Sequence, residues 1–135
     1  MNLKIVITDD DPVILFLHKM LVTNGGWDSS PLLFPNGLQT LSYLIDNRNS
    51  EIVHLLLLDI NMPNMSGWEL LDQLDALQVE GTLVAIISSS VNKEDRQKAN
   101  SYNKVIRYLE KPITLKKIQE LMECDPVKQL VTKTS

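Results

Sequence analysis

The stretch HLLLLDINMP, His54 to Pro63, runs four leucines straight into an aspartate. An unbroken apolar run has no polar side to turn to water, so it reads as a strand buried on both faces. Its arrest on the carboxylate of Asp59 needs a chemical reason. Four other short runs have the same character: LKIVIT from Leu3, SSPLLF from Ser29, TLVAII from Thr82 and KVIRYL from Lys104. SSPLLF is the weakest of them, because Pro31 suits only an edge or a strand start.

Between the runs lie helical stripes. Asp11 and Pro12 supply an N-cap and a first-turn proline, and Ile14, Leu17 and Leu21 recur at helical spacing until Gly25 and Gly26. Asn36 opens a second helix with Leu38, Leu41, Leu44 and Ile45, and a third follows Gly67 with Leu70, Leu71 and Leu74 inward. The segment NKEDRQKANSY from Asn92 has acid early and base late, as the helix dipole favours, but only a thin apolar stripe. Thr114 caps the last, with Leu115, Ile118, Leu121 and Met122 predicted to be buried. Beyond Cys124 the pattern fades, so residues 1–124 are read as one domain and 125–135 as a flexible tail. Strand and helix alternate five times, which specifies an α/β, doubly wound parallel sheet flanked by five helices. Ligands of such sheets sit outside the carboxyl ends of the strands.

Composition narrows the function. A chain of 135 residues, 44% hydrophobic, fills one core. Its net charge of −4 disfavours nucleic acid or an anionic membrane as partner. A single cysteine, Cys124, cannot form an internal disulfide, the N-terminus shows no signal core, and no run approaches the ~20 apolar residues of a membrane span. A cytoplasmic protein is expected.

The strand ends collect a polar set: Asp9, Asp10 and Asp11 after the first, Asp59 on the third, Ser88, Ser89 and Ser90 after the fourth, Lys111 and Pro112 after the fifth. Two carboxylates about 4 Å apart repel by roughly 4 kcal/mol at an effective dielectric near 20. Lys111 alone does not balance several, and an all-oxygen donor set without thiolate or imidazole suits Mg²⁺. A carboxylate beside such a cation, with an ammonium and a hydroxyl facing the same space, is equipped to attack a phosphoryl group.

Together, IVITDDDP, LLLLDINMPNMSGWEL, IISSS and YLEKP resemble, in order and from about Leu3 to Met122, the motifs of the response-regulator receiver domains of two-component signalling, of the single-domain chemotaxis-receiver type. The resemblance implies a flavodoxin-like sheet of order 2-1-3-4-5. It also implies a phosphoprotein that accepts a phosphoryl group on Asp59 from a histidine kinase or phosphotransfer protein, and is not otherwise an enzyme. Asp10 would bind Mg²⁺ directly and Asp9 through water, Asp59 and the Asn61 backbone carbonyl completing the metal site. Ser88 would be the switch hydroxyl, Lys111 the phosphate-pairing lysine, Tyr108 the rotating aromatic, and the Lys111–Pro112 peptide cis. Output would pass to a downstream target protein or onward as relayed phosphate, and the family leaves a homodimer through the fourth helix, fifth strand and fifth helix open. Ser88 stands where threonine is commoner, Ser66 where aspartate is frequent and Arg107 where glycine is common; none of these removes a chemical role.

Plainer readings stand beside these. Asp11 serves as an N-cap; Ser89 and Ser90 end a strand; His18 is a helix-surface residue and His54 a strand entry; Trp27 and Trp68 are packing residues. Two rival functions use the same residues. IVITDDDPV also fits the Asp-x-Asp pattern of haloacid-dehalogenase-type phosphatases, with Asp9 as nucleophile and Asp11 as acid/base, but that leaves Asp59 unexplained and lacks a final acidic motif after Lys111. The other is a pseudo-receiver that binds a partner without phosphorylation.

Overall fold

The computed structural model describes residues 3–90 and 92–133, with the side chains of 131–133 left aside. Five parallel strands, β1 (Leu3–Thr8), β2 (Leu32–Phe34), β3 (Val53–Asp59), β4 (Thr82–Ser88) and β5 (Val105–Glu110), lie in the order β2-β1-β3-β4-β5. Six helices accompany them: α1 (Pro12–Asn24), α2 (Gly37–Asp46), α3 (Gly67–Ala76), α4 (Lys93–Asn100), α5 (Leu115–Glu123) and α6 (Asp125–Lys133). The sheet shrinks to three residues at β2, where Pro31 precedes the pairing of Leu32 with Val6.

Strand alternation sorts the core into two layers. Ile5, Ile7, Leu55, Leu57, Ala85 and Ile87 face α1, α5 and α6. Val6, Leu56, Leu58, Val84 and Ile86 face α2, α3 and α4. Because β3 is covered on both sides, every residue from Val53 to Asp59 is buried, which is why its sequence has no polar alternation.

The expected caps Asp11, Asn36, Asn92 and Thr114 accept backbone N–H bonds at the starts of α1, α2, α4 and α5, and Ser66, not among the expected caps, makes a full capping box with Glu69 at α3.

Three expectations are corrected. The α1 stripe is rotated: Leu15, His18 and Val22 are buried, whereas Leu17 is 48% exposed. With apolar side chains at five consecutive positions from Val13, the sequence offers two overlapping stripes and cannot fix the phase. His18 is therefore in the interior, and His54 is buried too, its Nε2 2.9 Å from the Tyr43 hydroxyl. Leu38 and Leu115, predicted inward, are exposed at the first turns of α2 and α5. The residues after Cys124 are not a loose tail but α6, packed on α5 and β3 with Val127 only 2% exposed. Asp125 and Pro126 are a start signal of the kind seen at Asp11–Pro12, and Val127 and Leu130 recur at helical spacing. Residues 134 and 135 of that expected tail lie outside the described residues.

Candidate functional site

Register brings the acidic residues together. Thr8 pairs with Leu58, so Asp9 and Asp59, each one residue further, sit side by side at the carboxyl ends of β1 and β3. Asp9, Asp10 and Asp59 offer carboxylate oxygens within 4.8 Å of one another. Asp9 and Asp59 are buried, while Asp10 stands exposed at the mouth. The Asp9 Oδ1 accepts the Asp11 N–H at 2.9 Å, which fixes its carboxylate. Asp11 accepts from Val13 N at 2.9 Å and caps α1, as the plainer reading had it.

Lys111 enters from β5. Its backbone N–H donates to Ser88 O at 2.8 Å, and the Lys111–Pro112 peptide is cis. Its Nζ lies 2.9 Å from Asp9 Oδ2 and 3.5 Å from Asp59 Oδ1. Burial pushes the ammonium pKa down, but the Asp9 hydrogen bond and the two carboxylate charges outweigh burial and hold it above the ordinary value. Asp59 moves the other way for a carboxylate: burial and the neighbouring Asp9 raise it to about 6, against the pull of Lys111 and the Asn61 N–H. An Asp59 so placed ionises less readily than an ordinary aspartate, and added positive charge nearby would favour its carboxylate form.

Ser88 is fully buried at the end of β4 and its Oγ accepts the Ser90 N–H at 3.0 Å. Tyr108, on the adjacent strand and half-buried, donates its hydroxyl to Ser90 O at 3.1 Å. Asn61 is exposed in the loop after Asp59. That loop closes through Gly67, whose N–H donates to Ile60 O at 2.8 Å. A Cβ on Gly67 would stand 2.8 Å from both Asp59 O and Ile60 Cα, so a side chain there collides with the backbone of the Asp59 segment.

The sequence thus placed Asp9, Asp10, Asp59, Ser88, Lys111 and Tyr108 around one end of the sheet, and the structure brings the three acids within 4.8 Å of one another and Lys111 onto Asp9 and Asp59. It did not find the closeness of Gly67 to Asp59, although Gly before a helix of otherwise good formers was a signal. It also passed over Arg96, whose guanidinium lies over the Tyr108 ring; nothing in a polar helix singles out one arginine.

The family model of the response regulator receiver domain matches residues 5–123, and the chain belongs to that family. It is 38% identical over 71 residues to the chemotaxis protein CheV2 of Helicobacter pylori, a match covering 52% of this chain and 23% of that one. It is 32% identical over 115 residues to an uncharacterized 14.6 kDa protein in the sodA1 3' region of Leptolyngbya boryana, covering 83% of this chain and 81% of that one. Among solved structures, a two component response regulator from Cytophaga hutchinsonii superposes with a TM-score of 0.81 at 22% identity, covering 96% of this chain and 97% of that one, a likeness of fold. The chain therefore spans less than a quarter of CheV2's length and most of the Leptolyngbya protein's. No helix among the described residues is long and apolar enough to cross a membrane.

Proposed function

We propose that this receiver domain accepts a phosphoryl group on Asp59 from a phosphohistidine of a kinase or phosphotransfer protein, in a Mg²⁺-dependent reaction, and that the acyl phosphate changes what the domain binds or passes on. The observation that carries this reading is the cluster itself: three carboxylates, two of them buried and Asp10 at the mouth, gathered with one lysine at the sheet's carboxyl end.

The donor set fits a divalent cation. It is all oxygen and over-charged, three carboxylates facing one ammonium. Asp10, Asp59 and the Asn61 carbonyl would hold Mg²⁺, with Asp9 acting through water. The cation would neutralise charge on the phosphoryl oxygens and favour the ionised acceptor.

The chain's own residues do the rest. An ionised Asp59 oxygen attacks phosphorus; the P–N bond breaks as the O–P bond forms, and the imidazole leaves with its electron pair and takes up a proton from solvent. Lys111, already on Asp9 and Asp59, pairs with a phosphoryl oxygen. Ser88 Oγ keeps its own hydrogen to donate, since the Ser90 bond uses only a lone pair. Tyr108 then turns toward the space that Ser88 leaves. The acyl phosphate adds nearly two negative charges, and a few charge-assisted bonds of roughly 1.5–3 kcal/mol each suffice to invert a two-state population, which takes about 5.5 kcal/mol.

A surface for the donor adjoins the site. α1 begins directly after the acidic residues, and Val13, Phe16, Leu17 and Met20 form one apolar stripe on it, 63%, 58%, 48% and 42% exposed. An amphipathic donor helix laid on that stripe reaches the mouth of the site. We place this exchange, and the chain, in the cytoplasm. A downstream protein, or a second copy meeting the α4–β5–α5 face, receives the output.

Incubation with acetyl phosphate tests the chemistry. With Mg²⁺ the intact mass should rise by one phosphoryl group, and excess chelator should abolish the gain. An adduct indifferent to chelator would refute the metal dependence, and none with metal would favour a pseudo-receiver.

A further inference from the structure

Two segments bear the proposed cation ligands, the end of β1 with Asp9 and Asp10 and the loop after Asp59 with Asn61, and both are tied to the first turn of α2. Thr8 directly precedes Asp9 and follows Val6 on the strand face that packs against α2. Its hydroxyl lies 2.6 Å from that of Thr40, and Thr40 Oγ1 donates to Asn36 O at 3.1 Å. Each hydroxyl has one hydrogen, so Thr8 donates to Thr40 and Thr40 to the backbone. Both threonines are buried, and a lone hydroxyl left there would have no water to turn to. The backbone adds a second tie: the Asp9 N–H donates to Phe34 O at 3.3 Å, just beyond the pairing of Thr8 with Phe34.

The β3–α3 loop meets the same turn. Asn64 has a left-handed φ of 70°, and the Met65 N–H donates to Pro63 O at 2.8 Å. This tight turn seats Met65 on Gly37, the first residue of α2. A Cβ on Gly37 would stand 3.1 Å from both Met65 Cγ and Sδ, so the missing side chain is what lets the thioether sit so close. The base of the loop is closed by the Gly67 N–H on Ile60 O. The loop that carries Asn61 is therefore gripped at two places, and one of them is α2.

We propose that the first turn of α2 is a brace: through Thr40 on β1 and Gly37 under Met65, it fixes the spacing of the two ligand-bearing segments and so tunes the site to a small divalent cation. The inference rests on the reading of the acidic cluster as a Mg²⁺ site and deepens it. Mg²⁺ demands a short, near-octahedral shell of oxygens, whereas Ca²⁺ accepts a larger and irregular one. A fixed spacing discriminates between ions of different size; a slack one does not. Thr40 and Met65 are positioning residues, since they act through the segments they grip.

Titration of the full chain with MgCl₂ and with CaCl₂, followed by amide NMR shifts, tests the brace. Wild type should bind Mg²⁺ the more tightly. Thr8→Val combined with Thr40→Val removes the tie without orphaning a hydroxyl, so the melting temperature should hold. In that double variant Mg²⁺ affinity should fall about tenfold while Ca²⁺ affinity stays within about twofold. Met65→Ala should narrow the Mg²⁺-to-Ca²⁺ ratio in the same way, and Met65→Leu, which refills the space over Gly37, should restore it. A wild type that prefers Ca²⁺, or an unchanged ratio in either the threonine double variant or Met65→Ala, would overturn the brace. So would equal weakening for both ions, the mark of a merely structural role. Asp10→Asn separates the two readings. If wild type binds Mg²⁺ no better than Asp10→Asn does, the metal reading falls and the brace with it; if binding requires Asp10 but the ratio ignores α2 and Met65, the brace alone falls.

Discussion

Asp59 is held at a cost to the metal-free protein. Its pKa is raised from 3.8 to about 6, chiefly by burial and then by Asp9. Below the lower value both folded and unfolded chains hold the proton; between the two only the folded chain does; above the higher value the buried site carries an unwelcome charge. Stability should therefore fall as pH rises through that window. Asp59→Asn, kept in chelator, should melt above wild type at pH 7.5 by an amount on the order of 2 kcal/mol, with the gap closing toward pH 4. Calorimetric melts at both pH values check this, and a constant gap would mean that titration of Asp59 is not its source. Gly67 is the companion residue. Gly67→Ala places a methyl group 2.8 Å from two backbone atoms of the Asp59–Ile60 segment, and should cost about 1–3 kcal/mol in urea unfolding as well as slowing the proposed phosphorylation. At this scale the acids, Ser88 and Lys111 were legible because each follows an apolar run. Gly67 was not, because its constraint comes from a backbone that only the folded loop brings near.

The helices differ in how clearly their sequences state their faces. The buried leucines of α3 were legible: Leu70, Leu71 and Leu74 are buried as expected, although its Ser66–Glu69 capping box was not read. α1 was legible in extent but not in phase, because its apolar residues surround it and the interior took His18 in place of Leu17. Burial lowers the His18 pKa, with Asp9 partly opposing, so the interior holds the imidazole as a neutral packing residue behind the site. The surplus apolar side chains of α1 then face outward and form the stripe proposed to receive the donor. Phe16→Asp should slow phosphotransfer from a phosphohistidine donor by tenfold or more, on the scale of an interfacial aromatic worth about 1.4 kcal/mol or above. Acetyl phosphate, which needs no docking helix, should label the variant at the wild-type rate. Parallel rate measurements with the two donors decide it, and an equal loss with both would show that Phe16 acts on the site itself.

At the scale of the whole molecule, the alternation of buried runs and stripes specified the parallel sheet, and the resemblance gave its order. The sixth helix was missed because α6 gains its stability from seating Val127 against the core beside Cys124, a tertiary contact that a short polar segment does not advertise. Fold and chemistry meet at one place: strand register delivers Asp9 and Asp59 side by side, and Lys111, from the end of β5, reaches across β4 to both. The central claim is that this convergence makes Asp59 the phospho-acceptor. It is tested most directly by intact mass after acetyl phosphate and Mg²⁺ on wild type, Asp59→Asn and Asp9→Asn. One added phosphoryl group in wild type that disappears in Asp59→Asn is the predicted result. A phosphoryl group that survives Asp59→Asn and vanishes in Asp9→Asn would contradict the account and move the nucleophile to β1.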